Sequence, residues 1–425
     1  MDGDADGVLR TPARAPRPVQ DLSLWRLLEP SVLAEPYPLY RRLREHDPVF
    51  WDPFLHAWVV TDYANVQTVL YRFSAERTPT PSQLSALGLG ILEPVAEIMI
   101  RQMLFMDAPA HTRLRGLCAA GFSARRVDGM RMRIQNIADT LLDRVAHQGH
   151  SDIMADFANP LPAMVTAELL GVPTTDHEML KSWSATFAEM LGNFQHNPDR
   201  AERVLNSVRD MLSYFRSAIR EQRHRPTPGL IHALMTADLQ GARLTEDDLV
   251  ANVIVTMVGG QETTTNLIGN GLLTLMNHPA AMAQLREHPE IIETAVEELL
   301  RFESPSQHTA RLVPEDTTLG GKALRKREAV IAVMAAANRD PARFADPDRL
   351  VLTRTDNRHM AFGWAAHFCF GAPLARLEGQ IAFNTLLRRL PNLAVADAPL
   401  VWRENLGLRG LTALHVNFEA CNTTP

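Results

Sequence analysis

Ala361-Phe362-Gly363-Trp364-Ala365-Ala366-His367-Phe368-Cys369-Phe370-Gly371-Ala372-Pro373-Leu374-Ala375-Arg376 is the most informative stretch of this chain. It sets Cys369 in a run of aromatic and small residues, immediately ahead of a helical pattern that covers about 372–390. A thiol at a helix N-terminus lies beside unpaired backbone N–H groups and the positive end of the helix dipole, and both favour a thiolate. A lone buried cysteine is ordinarily a small apolar side chain. The company kept by Cys369 argues otherwise: His367 stands two residues before it, Gly371 two after, and Phe362-Gly363 at the loop entrance.

The next anomaly lies upstream. Thr245 and Asp248 predict a helix start ahead of Leu249, and the pattern runs to Asn277, where His278-Pro279 stops it. At 1.5 Å per residue a helix of ~32 residues spans roughly 48 Å, enough to cross the molecule. It is apolar nearly all round, which predicts burial. Yet its middle reads Gly259-Gly260-Gln261-Glu262-Thr263-Thr264-Thr265-Asn266. Each interior glycine costs about 1 kcal/mol relative to alanine, and a buried carboxylate needs a partner. The plain explanation is a kink or a close helix crossing. The sharper one is that Gly259 and Gly260 admit something large, while Glu262 and Thr263 handle protons.

The rest of the 425 residues reads as one mainly α domain with small β-sheets, over 26–425. A short helix is expected near 36–43, a hairpin from 49–51 and 58–61, helices from 63 to 300, and strand-like pieces at 329–335 and 411–418. Residues 1–25 read as a disordered lead. With 46% apolar and 22% charged residues the composition is that of a soluble globular chain. A net charge of −6 argues against non-specific nucleic-acid binding. No apolar run reaches the ~18 residues of a membrane span. Cys118, Cys369 and Cys421 cannot build a disulfide framework, which points to a reducing, cytoplasmic setting.

The cysteine segment resembles the Phe-Gly-x-Gly-x-His-x-Cys-x-Gly loop of the cytochrome P450 superfamily, soluble bacterial type, at Phe362, Gly363, His367, Cys369 and Gly371. It departs at Ala365, where left-handed backbone would be mildly strained. Glu298-Leu299-Leu300-Arg301 is similar to the family's Glu-x-x-Arg, and Arg349 to the third member of its ion network. His111 and Arg115, one helical turn apart, together with Arg311 and His367, resemble the groups that hold the haem propionates.

The resemblance implies the P450 fold around a long central helix. It implies haem b (iron protoporphyrin IX) with Cys369 as axial thiolate, Gly259, Gly260 and Phe362 against the haem, and Glu262-Thr263 as an acid–alcohol pair. O2 and two electrons would be consumed, the electrons coming from NAD(P)H through a separate ferredoxin or flavodoxin and its reductase. No cysteine cluster is present to hold an iron–sulfur centre. Arg113, Arg125, Arg126 and Arg376 are candidates for the docking face. By the same analogy Leu87, Leu89, Ile91, Leu92, Met190, Leu191, Phe194, Val255, Val258 and Leu406 line the substrate pocket, with Gln307 and His308 orienting a polar group. A hydrophobic small molecule would then be hydroxylated or epoxidised. Peroxygenase, dehydratase, nitric oxide reductase and non-catalytic haem sensor are the competing readings. Glu262-Thr263 argues against a sensor, which needs no proton relay.

Overall fold

Thr245 caps the long helix: its hydroxyl accepts the Asp248 N–H at 3.1 Å. The helix Glu246–Asn277 then runs for 32 residues, with Glu246, Asp247 and Asp248 in its first turn complementing the dipole. It is buried along most of its length and ends at His278, ahead of Pro279. The computed structural model describes residues 22–190, 198–239 and 241–420. Among these, the helices Pro160–Leu170, His177–Ala188, Ile292–Phe302 and Ala372–Arg389 pack against the central helix around a continuous apolar core.

Two glycines near the C-terminal half of the central helix mark close crossings. A Cβ on Gly271 would lie 2.4 Å from Phe383 Cζ, and one on Gly269 would lie 2.4 Å from Met154 Sδ. Gly259 is different, because a Cβ there would meet nothing within 4 Å. The helix-crossing explanation therefore applies to the later glycines and not to Gly259.

A four-stranded sheet lies beside the helical body. The hairpin Val49–Asp52 and Ala57–Val60 is antiparallel, Ala57–Val60 runs parallel to Ala329–Ala332, and Ala329–Ala332 pairs antiparallel with Thr309–Leu312. Along Thr309–Leu312 only Arg311 is fully buried. The strand expected at 329–335 is shorter, because the chain turns into the helix Met334–Ala337. The terminal strand is likewise confined to His415–Asn417. Residues 1–21 of the expected lead lie outside the described residues. Residues 22–25 belong to the body instead: Ser23 bonds the buried Asp52 at 2.7 Å, and Leu24 is fully buried.

Glu298 and Arg301 are both fully buried on the helix Ile292–Phe302. Two guanidinium nitrogens of Arg301 meet the Glu298 carboxylate at 2.8 Å each, and Nη1 donates to the carbonyls of Asn338 and Pro347 at 2.9 and 2.8 Å. The expected third member, Arg349, contributes only its carbonyl, which accepts Arg301 Nη2 at 3.2 Å. Its side chain is exposed. Arg354 takes its place, with Nε 3.1 Å from Glu298 Oε2. The turn closed by the Arg349 N–H on Asp346 points position 349 outward and brings 354 back.

Candidate active site

A cavity of about 580 Å3 lies between the central helix and the cysteine loop. Its size is that of a site for a cofactor or a small molecule. Cys369 lines it, as do Phe362, Gly363 and His367. The loop is folded tightly on itself: the Cys369 N–H donates to the Phe362 carbonyl at 2.7 Å. Gly363 has φ +70° and Ala365 φ +56°, so the residue that departs from the motif does adopt left-handed backbone. Burial pushes the Cys369 thiol above its ordinary value. The N–H groups of Gly371 and Ala372 and the charges of Arg115 and Arg376 partly offset this. Cys118 has Arg115 but no backbone N–H to offset its burial, its thiol is pushed up to about 12, and it does not line the cavity. Cys421 lies outside the described residues.

The facing wall is the middle of the central helix. Gly259, Gly260, Thr263 and Thr264 line the cavity. The Thr263 hydroxyl donates to the Gly259 carbonyl one turn back at 2.7 Å. Glu262 does not line the cavity, since one residue along a helix is a rotation of about 100°. Its carboxylate is held on the other side by Lys181 Nζ at 2.7 Å and Arg403 Nη1 at 2.8 Å. Arg403 also donates to Asn159 Oδ1 at 3.2 Å. Neither Lys181 nor Arg403 was legible as a partner in the sequence. They stand 81 and 141 residues away from Glu262, and no local pattern links them to it.

One edge of the cavity is basic. His111 and His367 stack with ring centroids 4.1 Å apart, and Arg311 lies close enough to depress both. Burial is the largest influence on each histidine: it lowers His111, and it helps take His367 down to about 3. Both rings are therefore neutral donors at pH 7. His111 Nε2 and Arg311 Nε are buried without a hydrogen-bond partner. Arg115 lines the cavity as well and donates to the Phe368 carbonyl of the cysteine loop at 2.8 Å. Arg77, which belongs to none of the motifs, also lines this wall.

Of the residues expected in the pocket, Met190, Val255, Val258 and His308 line the cavity. Leu87, Leu89, Ile91 and Leu92 do not; Leu87 is 68% and Ile91 50% exposed. The helix Pro81–Ala86 ends just before Gly88, whose φ of +71° turns the chain outward, and Met99, Met103, Leu104 and Phe105 form the wall instead. Gln307 points away from the cavity, with its amide bonded to the Ser304 carbonyl and the Tyr40 hydroxyl. Leu406 packs with Leu24, Leu27 and Tyr40, while Gly407 and Leu408 reach the cavity. Leu191 and Phe194 lie outside the described residues. Among the expected docking arginines, Arg376 is held by Glu297 through two bonds of 2.7 Å, and Arg126 donates to the Gly229 carbonyl at 2.9 Å. Arg113 and Arg125 are exposed.

The family model that matches residues 94–393 is described as cytochrome P450. The chain is 37% identical over 391 residues to the biotin biosynthesis cytochrome P450 of Bacillus subtilis (strain 168), covering 91% of this chain and 97% of the relative. It is 38% identical over 416 residues to cytochrome P450 monooxygenase PikC of Streptomyces venezuelae, covering 94% of each. A solved structure of P450BioI in complex with hexadec-9Z-enoic acid ligated acyl carrier protein superposes with a TM-score of 0.86 at 36% identity, over 92% of this chain and 100% of that one. The chain belongs to the cytochrome P450 family. Its activity is that of a haem–thiolate monooxygenase that uses O2. Such enzymes need redox partners to deliver electrons. Among the described residues no helix is long and apolar enough to cross a membrane.

The residues present fit a haem. Gly259 leaves the distal wall bare, Cys369 stands on the opposite side, and the orphaned nitrogens of His111 and Arg311 supply donors for carboxylates at one edge.

Proposed function

We propose that the enzyme inserts one oxygen atom of O2 into a hydrophobic small molecule, by hydroxylation or epoxidation, with NAD(P)H electrons delivered by a separate ferredoxin or flavodoxin and its reductase. The observation that carries this reading is the cavity: beyond Cys369 and Thr263 its wall is formed by Met99, Met103, Leu169, Val255 and Val258. Such a surface desolvates an apolar ligand and excludes bulk water. The hexadecenoyl group in the P450BioI complex supports long-chain acyl groups as one class to test.

The haem, once bound, supplies O2 activation, and a thiolate ligand favours O–O cleavage. Cys369 would hold it through its sulfur, while His111, Arg115, Arg311 and His367 would hold its carboxylates. The Thr263 hydroxyl uses its hydrogen on the Gly259 carbonyl, which leaves the lone pairs of a cavity-lining oxygen free to accept. It is then placed to accept a hydrogen bond from a ligand on that side. The Glu262 carboxylate, next to it in sequence, is held by Lys181 and the partly exposed Arg403 on the side of the helix away from the cavity. Phe122 packs at a tilt against Phe370 with centroids 4.4 Å apart, which sets the segment carrying exposed Arg113 and Arg125 against the cysteine loop. That face suits an acidic electron carrier.

A screen of alkanoates, terpenes, macrolides and aromatics by the haem spin-state shift tests the substrate class. If none binds, the apolar-substrate reading fails. In Thr263→Ala, NADPH consumption with surrogate redox partners should persist while product per NADPH falls and hydrogen peroxide rises; Thr263→Ser should recover coupling. Coupling unchanged in Thr263→Ala would reduce the hydroxyl to a cap on the Gly259 carbonyl.

A further inference from the structure

Arginines placed deep in this protein usually meet a carboxylate. Arg301 meets Glu298, Arg339 meets Asp348, Arg409 meets Glu303, and Arg403 meets Glu262. Arg77 does not. Its Nη1 reaches only the carbonyls of Ala75 and Leu104, at 3.3 and 3.4 Å, and its guanidinium lies 4.6 Å from the centroid of the Phe105 ring. These are long contacts for a charged donor. Among the described residues the charge that acts on it noticeably is another cation, Arg311, and burial pulls both down, Arg77 to about 9. Arg311 in turn bonds only Thr309 Oγ1 and the Ala310 carbonyl, and its Nε has no partner.

Asp107 offsets Arg311 in part, but among the described residues no anion acts noticeably on Arg77, and a desolvated cation placed so beside another is unfavourable for the protein alone. The pair becomes favourable once a ligand brings negative charge between them. Both line the cavity, and Arg77 continues through Thr78 and Pro79 into the wall that carries Met99, Met103 and Phe105. The site therefore joins the basic edge to the apolar chamber.

We propose that Arg77, acting with Arg311, is a carboxylate-binding site in the cavity wall. The carboxylate comes from a haem propionate or from an acidic substrate with an apolar tail; the second source rests on the apolar-substrate reading. A planar guanidinium suits either by bidentate hydrogen bonding.

The test compares haem-loaded wild type with Arg77→Met, Arg77→Gln and Arg77→Lys. One arm measures the rate of haem transfer to apomyoglobin. The other titrates dodecanoate and dodecanol by the spin-state shift. If a propionate is bound, Arg77→Met and Arg77→Gln should transfer haem about tenfold faster or more. If a substrate carboxylate is bound, dodecanoate should weaken by about tenfold or more in both variants, with dodecanol within about twofold of wild type. Arg77→Lys, which keeps the charge, should recover most of either effect.

Glutamine keeps an N–H donor for the Ala75 and Leu104 carbonyls without the charge. Arg77→Gln behaving as wild type would overturn the proposal and leave Arg77 a backbone tie. Haem transfer and the dodecanoate-to-dodecanol ratio both unchanged in Arg77→Met would overturn it too. Failure of either probe to bind wild type counts against the apolar-substrate reading, and haem transfer then decides the role of Arg77.

Discussion

Two charged clusters deep in this protein are built in opposite ways. Around Glu298, every charge is answered by the chain itself: Arg301 and Arg354 meet the carboxylate, and the N–H of Val351 and the amide of Asn357 fill its remaining positions at 2.9 and 3.1 Å. Along the cavity edge, Arg311 acts unfavourably on both Arg77 and His111, Asp107 offsets this only in part, and His111 Nε2 and Arg311 Nε are buried without partners. The first cluster is complete without any ligand, as a structural element must be. The second is complete only when a carboxylate-bearing ligand occupies the cavity. The two cysteines repeat the contrast. Cys118 lies in apolar packing that holds it as a thiol, whereas Cys369 has N–H groups and arginines arranged around it.

The largest expected effect separates those cysteines. Cys369→Ala should abolish the red-shifted Soret band of thiolate ligation in the reduced carbon monoxide complex, and Cys118→Ala should retain it. Loss of the band in Cys118→Ala through loss of ligation would collapse the assignment.

Next in size is the comparison of the two clusters. Arg301→Met leaves a buried carboxylate short of its main partner and should lower stability by about 3–5 kcal/mol, read from urea unfolding. Arg311→Met should speed haem loss while shifting the urea midpoint far less. Equal losses of stability in the two variants would show that both clusters are structural.

A smaller effect depends on pH. Burial alone would raise Glu297, but hydrogen bonds from Arg376 and His359 hold its carboxyl down, at about 2. The unfolded chain, near 4.5, takes up the proton first as pH falls. The stabilisation is thus present above about pH 4.5 and is lost as pH drops through about 2. Urea midpoints should fall more steeply over that window in wild type than in Glu297→Gln. Parallel curves would remove Glu297 from the set of completed clusters.

The smallest effect is expected at Ala365. Its φ of +56° favours glycine, so Ala365→Gly should stabilise the protein by about 0.5–1 kcal/mol, read from the thermal midpoint. A loss of stability would mean that the Ala365 methyl makes a contact that outweighs the backbone strain.

Much of this arrangement was legible in the chain. The cap at Thr245, the stop at His278-Pro279, the turn at Ala365 and the pairing of Glu298 with Arg301 each depend on residues within a few positions of one another. Other readings failed for a common reason. Leu87, Leu89, Ile91 and Leu92 form an apolar run whose facing direction depends on the outward turn at Gly88. Gln307 and His308 are adjacent and point opposite ways, one to Tyr40 and one to the cavity. Arg349 and Arg354 both suit an ion network, and only the path of the turn selects the second.

The sequence by itself determined the central helix and the position of the cysteine loop, and the resemblance of that loop to the P450 motif implied the class of chemistry. Capping, helical periodicity and a thiol at a helix N-terminus are local physics, complete within one or two turns of chain. Only the tertiary structure decided that Lys181 and Arg403 hold Glu262, that Thr263 bonds the Gly259 carbonyl, and that Arg77 faces Arg311 without a carboxylate. Those relations join segments far apart in sequence. A charge finds its partner, or fails to find one, only when packing has fixed which side of each helix and strand faces inward.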